Sequence, residues 1–111
     1  VDGEALDRAV LGSPVPVLLD LWAPWCAPCR VAGPILDEVG RAQAGRLLVL
    51  KLNTEQHPRP ASSLGVQGIP TFIVFSGGRE VARRSGVLPR PELERWVSSA
   101  TAGPPGAGAT A

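Results

Sequence analysis

The stretch Asp20-Leu-Trp-Ala-Pro-Trp-Cys-Ala-Pro-Cys-Arg30 constrains this chain more than any other. It holds both cysteines, two of the three tryptophans and the one acid inside an otherwise apolar run. Val15 to Trp22 is apolar apart from Pro16 and Asp20, which is the pattern of a strand buried on both faces. Ala23-Pro24-Trp25 ends it. From Cys26 a helical pattern takes over, with Val31, Ile35 and Val39 recurring at i, i+4, i+8 and Ala32 and Leu36 flanking them. Strand, turn, Cys-x-x-Cys and helix follow one another.

A cysteine that opens a helix sits beside unsatisfied N–H groups and the positive end of the helix dipole. Both favour thiolate over thiol, so Cys26 is expected to be the more reactive sulfur. Pro28 suits the first turn, where its missing N–H would have no partner. Cys29 lies on the same side of that turn, further inside, and can close a disulfide with Cys26. So short a loop restrains the unfolded chain by about 2 kcal/mol at most, less than a structural staple would gain over a longer one. The pair is better suited to opening and closing.

These residues resemble the active site of the thioredoxin family. Trp25-Cys-Ala-Pro-Cys-Arg30 follows a buried acid, Gly68-Ile-Pro-Thr71 is similar to the family's cis-proline loop, Gly86 to its later glycine, and Lys-Leu-Asn53 to the end of its central strand. The likeness runs without gaps from about Leu6 to Ala100. Asn53-Thr-Glu-Gln is most similar to the bacterial type with an N-terminal zinc-binding extension, which is absent here. Ala27 also departs from the family, which most often has glycine there.

The resemblance implies an α/β thioredoxin fold: a central mixed sheet flanked by helices on both faces, in the order 1-3-2-4-5, with the first strand missing or truncated. It implies a protein-disulfide reductase working through a Cys26–Cys29 dithiol, with no cofactor. Asp20 would shuttle the proton behind Cys29, with Lys51 nearby. Trp25, Ala27, Pro28, Gly68, Ile69, Pro70, Gly86 and Val87 would bind the substrate protein, and Ile69–Pro70 would be cis. Disulfide-containing proteins and thioredoxin reductase would be the partners of a monomeric, cytoplasmic protein. Two other readings stay open. An oxidase or isomerase of the same fold would usually carry histidine between the cysteines, where this chain has Ala27-Pro28. A binding subunit would use the same groove without catalysis.

The 111 residues, 44% of them hydrophobic, suffice for one domain with one core. We expect the domain over residues 1–101 and a flexible Gly/Pro/Ala-rich tail over 102–111. A net charge of +1 gives no case for nucleic acid or an anionic membrane, and no apolar run approaches the roughly 18 residues of a membrane span. Two close cysteines are too few for a secreted disulfide framework and point to a reducing compartment. The chain starts at Val1 with no charged-then-apolar leader, so an upstream segment is expected to have been removed or left out. A closed zinc site needs four ligands, whereas two cysteines and one histidine are present; no metal is expected, and His57 reads as a surface residue. Ten arginines stand against one lysine, Lys51, as though arginine could not replace it.

Along the chain, we expect a first helix over Gly3–Leu11 with Leu6, Ala9 and Val10 inward, and a helix from Cys26 to about Gln43, kinked at Gly33-Pro34. Asp37 and Arg41 would face solvent. Leu47–Leu52 reads as a buried strand, and Ala61–Leu64 as a short helix. Thr71–Ser76 and Glu80–Arg84 form a hairpin about Gly77-Gly78. A last helix opens at Pro91, with Leu93, Trp96, Val97 and Ala100 on its core face. Trp22 reads as core and Trp25 as an exposed platform. The missing first strand would leave Leu47–Leu52 as an apolar sheet edge, partly covered by the first helix or by another molecule, unless the chain is a trimmed fragment.

Overall fold

The computed structural model describes residues 1–102; the rest of the expected tail lies outside the described residues. The elements are α1 (Gly3–Gly12), β1 (Val17–Trp22), α2 (Ala27–Ala42), β2 (Leu48–Asn53), α3 (Pro58–Ser63), β3 (Thr71–Ser76), β4 (Arg79–Ser85) and α4 (Arg90–Thr101). They build one mixed sheet in the order β2-β1-β3-β4. β1 runs parallel to β2 and antiparallel to β3, and β4 is antiparallel to β3.

Period-two alternation along β1 sends its side chains to two cores. Leu18 packs with Ala32, Leu36 and Val39 of α2 and with Leu93 and Val97 of α4. Val17, Leu19 and Leu21 pack on the other face with Leu6 of α1 and Ala61 of α3. A strand covered by helices on both sides has to read as almost continuously apolar, and β1 does. Asp20 is the exception, on the same face as Leu18 and therefore beneath α2.

The buried stripe of α2 differs from the expected one. Cys29, Ala32, Leu36 and Val39 face inward, Ile35 is half-buried, and Val31 is 59% exposed. A series at i, i+4, i+8 drifts by about 40° per step around a helix of 3.6 residues per turn, whereas alternating steps of three and four hold one face. Val31, Ile35 and Val39 therefore cannot all point at the sheet. α2 continues through Pro34.

β2 is the sheet edge that the absent strand was expected to leave. Leu48, Val49 and Leu50 are half-buried rather than fully covered, a correction to the expectation of a strand buried on most of its length. α1 covers part of this side of the molecule: Leu6 packs in one core with Leu52, and the Val1 ammonium donates to the Lys51 carbonyl at 2.7 Å. A groove of about 650 Å³ opens between α2 and β2, lined by Leu36, Asp37, Gly40, Val49 and Lys51 among others. The opposite edge, β4, is guarded by charge, with Arg79, Glu80, Arg83 and Arg84 along an exposed strand. The turn Gly77-Gly78 has positive φ at both residues (63° and 84°), a conformation that glycine adopts without the cost of a Cβ.

Candidate active site

The site forms where β1 ends and α2 begins. Cys26 caps α2, and its Sγ accepts the backbone N–H of Cys29 at 3.3 Å. The first turn needs such an acceptor because its N–H groups have no partner within the helix. The sulfur therefore occupies the cap position that Ser or Asp oxygen fills elsewhere. Cys26 and Cys29 are joined in a disulfide, with Cα atoms 5.2 Å apart. Both are buried (5% and 3% exposed) among Ala23, Trp22 and Ile69. Trp22 is half-exposed and packs on this sulfur pair, not in the main core as expected. Its carbonyl accepts the Thr54 N–H and hydroxyl, which ties the end of β1 to the turn after β2.

The loop before β3 faces the sulfurs. Ile69–Pro70 is cis, and the Ile69 carbonyl oxygen lies 3.9 Å from Cys26 Sγ, close enough to receive a thiol hydrogen when the pair is reduced. Pro70 itself is buried, and its carbonyl accepts the Gly86 N–H at 3.0 Å. Thr71 fixes the loop from inside: its hydroxyl donates to the Gly68 carbonyl and pairs with the Ser85 hydroxyl. Gly86 has φ +91°, which lets the chain leave β4 there. Of the expected substrate-binding residues, Trp25 is 67% exposed, Ala27, Pro28, Gly68 and Gly86 are exposed, Ile69 is half-buried against the cysteines, and Val87 is half-buried against the α2–α4 core.

Asp20 is 1% exposed, and its Oδ1 has no hydrogen-bond partner among the described residues. Burial pushes its carboxyl up to about 6; the Lys51 charge offsets part of that rise and the Asp37 charge adds to it. Lys51 is the register partner of Asp20 on β2, so the two side chains emerge on the same face. Yet the Lys51 ammonium pairs with Asp37 Oδ1 at 2.7 Å and donates to the Gly33 carbonyl at 3.4 Å. Asp37 is exposed, as is Arg41, and it also takes this ion pair. Sequence reasoning missed it because the α2–β2 contact cannot be read from local periodicity. The single lysine of the chain was the available signal. Among the described residues, no cluster of three or more His, Cys, Asp or Glu could hold a metal ion. No helix there is long and apolar enough to cross a membrane.

A buried cysteine pair at a helix N-terminus, faced by a cis-proline loop and preceded by a strand that carries a buried acid, defines a thiol–disulfide exchange site. The thioredoxin family model matches residues 1–99. The chain is 41% identical over 97 residues to thioredoxin 1 of Nostoc sp., covering 87% of this chain and 91% of that protein. It is 45% identical over 93 residues to the thioredoxin of Synechocystis sp. (84% and 87% covered) and 36% identical over 92 residues to that of Haemophilus influenzae (83% and 86%). The chain belongs to the thioredoxin family. It is a thiol–disulfide oxidoreductase, a protein-disulfide reductase whose redox centre is the Cys26–Cys29 pair.

Proposed function

We propose that Cys26 is the attacking sulfur, Cys29 the resolving one, and Asp20 the proton acceptor behind Cys29. The observation that carries this is the Cys29 N–H donated to Cys26 Sγ at the start of α2. In the reduced protein that donor and the helix dipole favour a thiolate on Cys26. The Cys26 thiolate attacks one sulfur of a substrate disulfide. A Cys26–substrate bond forms, the substrate disulfide breaks, and the first substrate thiolate leaves and is protonated. Asp20 carboxylate then takes the proton of Cys29. The Cys29 thiolate attacks Cys26, the intramolecular disulfide forms, and the second substrate thiol is released. Two electrons have passed from the dithiol to the substrate.

Trp25, Ala27, Pro28, Gly68, Ile69, Pro70, Gly86 and Val87 bind the substrate protein, with Trp25 as the exposed apolar platform and the loop backbone beside Ile69 as the pairing edge. Thioredoxin reductase recharges the disulfide, and the protein works as a monomer in the cytoplasm, where a reducing pool favours exchange over structural disulfides. The test is turnover of a generic protein disulfide by the isolated chain with a dithiol as electron donor, together with a glutathione redox titration. Catalytic reduction and a reducing potential are expected. An inactive chain would leave only a binding role, and a strongly oxidising potential would make it an oxidase.

A further inference from the structure

Reduction at this site needs an acid that can hold a proton and give it back, and Asp20 sits beside the one lysine of the chain. A free ammonium beside a buried carboxylate would lock it in the charged form and weaken it as a base. The geometry avoids this. Lys51 Nζ spends its ion pair on Asp37 Oδ1 (2.7 Å) and a hydrogen bond on the Gly33 carbonyl (3.4 Å), while Asp20 Oδ1 keeps no partner. We propose that Asp37 is a positioning residue for this reaction: it draws the Lys51 ammonium onto its own carboxylate, leaving Asp20 free to take up and return a proton.

Two physical effects act in the same direction. Asp37 anchors the cation that would otherwise turn toward Asp20. It also places a second negative charge near Asp20, and a like charge disfavours ionisation. Among the described residues, the other charge in this register row is Arg84 of β4, which is exposed and lies beyond Phe72 from Asp20. β3 sets Phe72 opposite Asp20, and α4 contributes Leu93 and Val97. On α2, Glu38 is engaged by Arg90 of α4 at 3.2 Å. Asp37 and Lys51 are both part-exposed, so their pair adds little to stability. Its consequence is electrostatic control of the buried acid.

The inference rests on Asp20 as the proton acceptor, and the two claims separate in one set of measurements. The Asp20 carboxyl is titrated by carbon NMR in the oxidised full chain, alongside the pH–rate profile of mixed-disulfide resolution. Asp37→Asn should lower the Asp20 midpoint by about one pH unit and carry the acid limb of the rate profile down with it. Asp37→Glu, which keeps the charge, should restore both. In a Lys51→Met background, Asp37→Asn should shift the midpoint less, because the cation it anchors is gone. An unchanged midpoint in Asp37→Asn overturns the proposal. If Asp20→Asn instead resolves the mixed disulfide at the unsubstituted rate across the pH range, the proton-acceptor reading falls, and the role of Asp37 in the reaction falls with it.

Discussion

A buried carboxyl with an unpartnered oxygen works against folding, and Asp20, whose Oδ1 has no partner among the described residues, is such a group. Its folded pKa, about 6, lies above the unfolded value near 3.8. Below the unfolded value the acid is neutral in both states and the penalty is absent. As pH rises from about 4 to about 6 the unfolded chain ionises first, so stability falls, and above that window the loss is constant. The full difference is on the order of 2–3 kcal/mol. Asp20→Asn should therefore stabilise the oxidised protein at pH 7 by up to about that amount, and leave it unchanged near pH 3. Thermal melts at the two pH values check this. The same variant should reduce disulfides more slowly at pH 7, since Cys29 loses its proton acceptor. A variant equally fast and less stable would make Asp20 a structural acid.

At the scale of the element, α2 both carries the sulfurs and packs the core, on faces that the sequence pattern confuses. Leu36 is fully buried between sheet and α4, so Leu36→Ala should cost about 2–5 kcal/mol in denaturant unfolding. Val31 is exposed, and Val31→Ser should stay within about 0.5 kcal/mol. Equal losses at the two positions would put the stripe back where the i, i+4, i+8 series placed it. Ala27 opens the same helix and is exposed. Ala27→Gly changes helix preference by nearly 1 kcal/mol at most, so the dithiol–disulfide equilibrium against glutathione should move by less than about fivefold with the fold retained. Unfolding on that change would mean that the position holds structure together.

Across the whole molecule, what could be read from sequence was whatever is written locally. β1 is apolar because both its faces are covered, the hairpin announces itself in Gly77-Gly78, and the strand–turn–cysteine–helix order places Cys26 at a cap. Sequence periodicity did not show which strand lies beside which, so neither the Lys51–Asp37 pair nor the half-cover of β2 could be derived from it. Trp22 was misplaced for a related reason: alternation gives its face, but not that the sheet has ended where the sulfurs begin. The edge position of β2 was legible only through resemblance, and among the described residues β2 lies at the sheet edge. The central claim is that Cys26 attacks and Cys29 resolves. It is tested most directly by mixing reduced Cys29→Ser protein with a disulfide substrate and mapping the product by mass spectrometry. The account predicts a stable adduct of one substrate chain on Cys26, and none with Cys26→Ser. Normal turnover by Cys29→Ser, or a substrate adduct on Cys29 of the Cys26→Ser protein formed at a comparable rate, would contradict it.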